Sequence, residues 1–386
     1  MTLRRRLAAA GFAASLALAP VTVLTTSYLS APPAVAAPTN ASAATSAGTW
    51  LATQFTQGQY YTSPYTLKAD VSGTADLLLG LLASRTAQST AKAADTWLQG
   101  EAKNVTSAGQ LAKLSIVASA MGDNPASYGG VDLVTKLGAA SAASVSGKTD
   151  DPYSDALAII ALARAGQPVP ASLVTALAAR QDSSGEFFFG TAGTASYFTD
   201  PDSTGVAIAA LGLVPSNPTA STALGKAVAW AKANRPNGYW DSYSPVNTTG
   251  LIGSALLGRG VDVSQAVDWM VGQQKLAGGR GLPASLNGTT PDAYATAQGL
   301  LLLGGVSLAS ATYVPAVTVT PSTPASSPSP AGSPSATASA SANPLPATGD
   351  GGRGGSTASG PLTLVVIGAA SVGLVAVGAA RARRHS

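Results

Sequence analysis

A motif recurs along this chain about every 45 residues, and few folds accommodate such a recurrence. Residues 69–79, 151–162, 200–211, 244–257 and 291–303 share one form. Each opens on Asp, Pro, Ser or Thr and continues in small residues mixed with Leu, Ile and Ala. The starts fall near positions 70, 151, 200, 244 and 291, and a weaker one near Ser107 fills the gap. A period of roughly 40–50 residues with apolar positions at helical spacing predicts stacked helical hairpins. Small residues on all sides of these segments predict helices packed all round, as in an inner ring. The segments between them are more polar and carry Trp50, Trp97, Trp230 and Trp269, with Lys and Asp on one face, which suits an outer ring. The expected fold is all-α: about six hairpins, or twelve helices, over residues 41–313.

Both flanks of this domain read as targeting segments. Residues 1–36 have the form of a signal peptide: Arg4, Arg5 and Arg6, then an apolar run, then Ala34-Val35-Ala36 as the cleavage site. Residues 315–344 are almost wholly Pro, Ser, Thr and Ala, a composition that buries nothing and predicts an extended stalk. Leu345-Pro346-Ala347-Thr348-Gly349 follows, then a Gly-rich spacer, an uncharged stretch at 361–380 long enough to span a bilayer, and a basic tail at 381–386. This order resembles the cell-wall sorting signal of Gram-positive bacteria. The resemblance implies that a sortase cleaves after Thr348 and joins that residue covalently to peptidoglycan, so the expected location is outside the cell on the wall.

Processing changes which chemistry is available. Of the 22 Lys and Arg, three leave with the signal and four with the tail, so 15 remain against 17 of the 18 acidic residues. The basic balance of the full chain therefore gives no reason to expect a nucleic-acid partner. The chain has no Cys, and its one His, His385, lies in the tail. The displayed protein has no Cys or His zinc site, no imidazole base, no thiol nucleophile and no disulfide. No metal or cofactor motif appears.

The repeat resembles the α/α-toroid family of squalene-hopene cyclases, protein prenyltransferase β-subunits, thioester domains and cobalamin carriers. The likeness is greatest to the transcobalamin and intrinsic factor branch, where Asn247-Thr248-Thr249-Gly250-Leu251 and Asp292-Ala293-Tyr294-Ala295-Thr296-Ala297-Gln298-Gly299-Leu300 look like the last two inner helices. That branch implies a corrinoid as ligand, although the stalk begins where those carriers have a closing β-domain. Prenyl transfer and thioester chemistry need Cys or His and are excluded. Asp200-Pro201-Asp202-Ser203-Thr204 approaches the DxDDT acid motif of terpene cyclases, with Ser203 in place of the last Asp. A helix cap at Asp200, with Pro201 first in the helix and Asp202 favouring the dipole, explains the same residues.

Glycoside hydrolysis by paired carboxylates stays open, with Asp182, Glu186, Asp200, Asp202 and Asp241 in loops expected at one mouth of the ring. Aromatic residues gather in those same connections. Tyr61, Phe187, Phe188, Tyr197, Phe198, Tyr239, Trp240 and Tyr243 are the candidate ligand contacts, for a small molecule, glycan or protein; the alternative is that they staple adjacent repeats. The expectation is a wall-anchored binding toroid without enzymatic activity. The alternative is an extracellular carbohydrate-active enzyme, with a terpene-cyclase-like activity behind it.

Overall fold

A computed structural model of the protein describes residues 39–147 and 151–315. The expected signal peptide, the stalk beyond Pro315, the LPATG motif, the spanning stretch and the basic tail lie outside the described residues. Among the described residues, no helix is long and apolar enough to cross a membrane.

The described residues form an α/α toroid of twelve helices. In chain order these are α1 (Ala41–Ala52), α2 (Val71–Ser84), α3 (Gln88–Glu101), α4 (Ala108–Met121), α5 (Leu133–Val145), α6 (Pro152–Arg164), α7 (Ala171–Ala178), α8 (Pro201–Leu211), α9 (Pro218–Ala233), α10 (Pro245–Leu257), α11 (Ser264–Leu276) and α12 (Ala293–Leu303). The even-numbered helices pack side by side in sequence, and α12 packs back onto α2, which closes the ring. The odd-numbered helices, carrying all four predicted Trp, lie outside.

Burial follows the predicted division. In α8 every residue from Ser203 to Leu211 is buried, whereas α9 buries only Ala220, Ala223, Ala227 and Ala231, a stripe of helical period. The inner helices touch through missing side chains. A Cβ on Gly250 would stand 2.4 Å from the carbonyl oxygen of Gln298 in α12, and one on Gly205 would stand 2.8 Å from the backbone nitrogen of Ile252 in α10. Backbone cannot retreat cheaply in a closed ring. Gly250→Ala should therefore cost about 1–3 kcal/mol, the usual range for overpacking, read as a lower urea midpoint with the slope unchanged.

Because up and down helices alternate, all inner helices begin at one end. Asp200 caps its helix as expected, and the same arrangement recurs at the other starts: Asp70, Ser107, Asp151 and Asp292 each accept a backbone N–H of the first turn, as Asp200 does. Ser244 stands at the start of α10. The connections into α2, α8, α10 and α12 are long and lie at this end, the mouth. Two of them contain small hairpins that the sequence reading did not expect: β1 (Phe55–Thr56) with β2 (Tyr60–Tyr61), and β3 (Phe188–Phe189) with β4 (Phe198–Thr199), both antiparallel.

A recurring threonine fixes each connection to its helix. The backbone N–H groups of Tyr61, Phe187 and Leu282 donate to the hydroxyls of Thr74, Thr204 and Thr296 at 2.8–2.9 Å. The N–H groups of Asp70, Asp200 and Asp292 donate back to the carbonyls of Tyr61, Phe187 and Leu282. Trp240 and Thr249 repeat the first of these bonds at 3.2 Å. All four threonines are fully buried, so each bond closes a backbone donor that would otherwise be costly to leave unpaired.

The opposite end of the ring is closed by a strap. After α12 the chain crosses the C-terminal ends of the inner helices, with Val306, Leu308 and Ala311 buried. The Arg164 guanidinium at the end of α6 donates to the carbonyls of Leu308 at 2.9 Å and Ala311 at 2.5 Å. Tyr313 N–H then donates to Ala120 O at the end of α4. The strap thus covers one end of the ring, and the starts of the inner helices stand at the other.

Candidate functional site

The register set by the caps decides what lines the mouth. Two residues beyond the cap stand Ser72 in α2, Tyr153 in α6, Asp202 in α8 and Tyr294 in α12. About 6 Å deeper, at four more residues of 1.5 Å rise, α2 supplies Asp76 and α4 supplies Lys113. Charged residues in helices otherwise buried on every side are rare unless paired, and these are paired. Lys113 Nζ stands 2.6 Å from Asp76 Oδ2 and donates at 2.9 Å to Ser72 Oγ; both charged side chains are 9% exposed.

These groups join neighbouring helices into a polar belt. Tyr294 donates its hydroxyl to Asp70 Oδ2 at 2.8 Å, linking α12 to α2. Thr248 of α10 donates its hydroxyl to Asp202 of α8. Ser242 Oγ lies 2.7 Å from the same Thr248 hydroxyl. The chain Ser242–Thr248–Asp202 can thus carry a proton in either direction, since a hydroxyl donates to a carboxylate and accepts from a carboxylic acid.

Tyr153 shows how the belt spans the ring. Burial raises its pKa well above the ordinary tyrosine value, and the charges of Asp76, Asp202, Asp200 and Asp151 raise it further. Asp76 lies on α2 and Asp202 on α8, which are not ring neighbours, so Tyr153 feels carboxylates from both sides of the axis.

Six helix N-termini converge here and favour negative charge, yet desolvation wins at the deeper carboxyls. Burial, and then the charge of Asp200, push Asp202 up to about 7, against the lowering effect of the Thr248 bond. Asp76 is raised by burial, with Lys113 opposing. Asp200 is raised by burial against its bonds from Ser203, and Asp292 by burial against the N–H groups it caps. Asp202 keeps partial exposure at the start of α8.

The other predicted site residues divide. Phe187 and Trp240 are core side chains, 0% and 1% exposed, and Tyr61 is 8% exposed. These three are the residues held by the threonine bonds, and their rings fill the space between repeats, the stapling role given above as the alternative to ligand contact. Trp240 also donates its indole N–H to Ala231 O at 2.8 Å. Phe188 packs on Tyr197 with ring centroids 5.0 Å apart, and Phe198 stacks on Phe189 at 5.1 Å, both pairs across the β3–β4 hairpin. Tyr239 stacks on Trp269 of the outer helix α11 at 4.5 Å. Tyr243 alone of the eight is strongly exposed, at 69%.

Asp182 organises a turn, accepting from the N–H groups of Ser184, Gly185 and Glu186 at 2.9–3.2 Å, and Tyr197 donates its hydroxyl to it. Asp182, Glu186 and Tyr197 form a cluster of their own, and Asp241 is exposed. Of the predicted carboxylates, the ring brings Asp200 and Asp202 together. Sequence reasoning missed Asp76, Lys113, Tyr153, Tyr294 and Thr248 as parts of one site. The available signals were the position two after each cap and a lone charge inside an all-apolar helix.

No protein-family model matches the chain, and no curated protein matches it. Solved structures do. The GH76A α-1,6-mannanase from Salegentibacter sp. HEL1_6 is similar at 12% identity and TM-score 0.47, over 69% of this chain and 98% of that one. An inactive variant of the same mannanase in complex with α-1,6-mannotriose is similar at 12% identity and TM-score 0.48, over 70% and 99%. Haptocorrin in complex with Cbi is similar at 15% identity and TM-score 0.47, over 70% of this chain and 68% of that one. The toroid itself rests on the closed packing of α12 against α2.

Proposed function

We propose that this protein is exported, joined to peptidoglycan by sortase through Thr348, and acts on a glycan at the toroid mouth with Asp202 as general acid. The observation that carries the second part is the pair of acidic side chains held inside the inner ring: Asp202 of α8, bonded by the Thr248 hydroxyl and pushed up by burial, and Asp76 of α2, three helices round the ring, with its ammonium partner Lys113. Cleavage of a glycosidic bond needs one carboxylic acid to protonate the leaving oxygen and a second, ionised group on the other side of the sugar ring. Asp202 fills the first role, and the Ser242–Thr248 hydroxyl pair returns its proton. Asp76, its charge balanced by Lys113, fills the second. Tyr153 and Tyr294 supply hydroxyls for the substrate. Asp200 is committed to capping α8 and contributes charge rather than proton transfer.

The test is reducing-end release from a panel of α- and β-linked oligosaccharides by the full protein, with a corrinoid included as a binding control. Turnover on at least one glycan is expected. Binding of a corrinoid with no glycan turned over would overturn the enzymatic reading in favour of a carrier. The anchoring part rests on the LPATG signal and its flanks in the sequence. Thr348→Ala, expressed in sortase-competent cells, should move the protein from the wall fraction to the membrane and medium, and unchanged wall linkage would refute it.

A further inference from the structure

A hydrogen-bond acceptor enclosed in the ring has nothing to accept from. Gln298 Oε1, on α12, is buried and has no hydrogen-bond partner among the described residues. An enclosed acceptor without a donor costs free energy that a bonded or an apolar group would not. The residues around it decide what it can bind.

The threonine bonds fix which way Gln298 faces. The Thr296 hydroxyl is turned to Leu282 in the connection, and the residues two before and two after it, Tyr294 and Gln298, lie roughly half a helical turn away, on the other side of α12. Contacts on either side agree. A Cβ on Gly299 would meet Leu282 and Met270 of the outer helix α11, and one on Gly80 of α2 would meet the Ala297 backbone. Gln298 is left facing the interior. By the same rule Ser72 and Asp76 stand opposite Thr74 on α2, and Lys113 of α4 bonds both of them.

Gln298, Asp76 and Lys113 thus stand in one layer on three neighbouring helices, about 6 Å beneath the layer of Asp202 and Tyr294. The arc carries no net charge, because Asp76 and Lys113 balance. It is also the last polar layer. One turn further in, the inward positions are Leu79, Ile116, Ile160, Ala209 and Leu301, all buried, with Ser254 bonded back to Leu251 O at 3.1 Å.

We infer that the Gln298 layer binds the terminal sugar of the substrate, with Gln298 Oε1 accepting one of its hydroxyls, so that a single neutral unit is released from a non-reducing chain end. This rests on the glycosidase reading above. Sugar hydroxyls find partners at this layer and none deeper, so one pyranose unit, spanning the step of about 6 Å, lies beyond the bond that breaks. The step is hydrolysis: the bond from the anomeric carbon to the chain oxygen breaks, that oxygen leaves with the Asp202 proton, water supplies the new anomeric hydroxyl, and the second water proton restores Asp202. A uronic acid or an amino sugar would bring a charge that the balanced pair does not answer.

The experiment gives α- and β-linked hexasaccharides of glucose, mannose and xylose to the full protein, wild type and Gln298→Met, and follows early products, KM and the thermal midpoint. Met matches Gln in length and helix preference and removes the unbonded acceptor, so the midpoint should not fall. The early products should be the monosaccharide and the pentasaccharide alone, and the variant should raise KM about tenfold, the loss of one hydrogen bond. Early di-, tri- or tetrasaccharide, an unchanged KM, or a lower midpoint in the variant would overturn the inference. If no hexasaccharide is cleaved, the glycosidase reading fails and calorimetric binding of the free monosaccharides decides the subsite. Affinity for one of them that Gln298→Met lowers about tenfold would keep it, and no binding, or equal binding in the variant, would overturn it too.

Discussion

If the mouth cleaves glycans as proposed, Asp202→Asn should lower turnover by about 10²-fold or more and, in the same protein, raise the thermal midpoint at pH 8. The activity loss should reach at least 10²-fold in kcat, because general acid catalysis contributes about that much or more and an amide cannot protonate a leaving oxygen. The stability gain follows from linkage. Asp202 titrates near 7 in the fold and near the ordinary carboxylate value, about 3.9, when unfolded. Between those values the folded protein binds the extra proton, so stability falls as pH rises from about 4 to 7 and is level above. The full difference corresponds to roughly 4 kcal/mol, shared with Asp200. Asparagine keeps an acceptor for Thr248 and removes the charge, so the fall should flatten and the midpoint at pH 8 should rise by several degrees. Thermal scans at pH 4, 6 and 8 read this directly. A variant less stable at pH 8 than wild type would show that the carboxylate is held ionised at no cost.

Lys113→Met should be the most damaging single change in the belt, at about 3–5 kcal/mol. Removing the ammonium leaves Asp76 buried between α2 and α4 with Ser72 as neighbour and no counter-charge. The carboxyl would then take up a proton, and the loss should grow as pH rises through the range in which it must ionise. Asp76→Asn in the Lys113→Met background should restore most of the stability, because a neutral pair carries no uncompensated charge. Urea unfolding of the two single variants and the double variant gives the coupling. Additive losses would mean that the 2.6 Å contact has no energetic role. If Asp76 is the second catalytic carboxylate, the double variant will also be stable and inactive, which separates function from folding.

Much of the ring was legible because capping is local chemistry. Asp70, Ser107, Asp151, Asp200, Ser244 and Asp292 announce helix starts from sequence, and their spacing yields the ring of hairpins. The direction of a loop aromatic is not local. Phe187 and Phe188 are adjacent and identical in type, yet one is wholly buried and the other pairs with Tyr197 at the surface of a hairpin, because the Thr204 bond and the strand alternation turn them opposite ways. The mouth was hidden for the same reason. Asp76 and Lys113 are 37 residues apart, and nothing in either segment marks the other as its partner. The strap was hidden as well, since residues 304–315 form no helical period and acquire their role only where Arg164, on α6, meets them.

The account depends most on Asp202 being a neutral carboxyl at the mouth of the folded protein just below pH 7. Carbon-detected NMR of the aspartate carboxyls, with Asp202→Asn identifying the signal, measures this without a substrate. A titration midpoint near 7 for Asp202, well above the other aspartates at the surface, is the expected result. A midpoint below about 5 would leave the ring without an acid at physiological pH and would contradict the proposed chemistry.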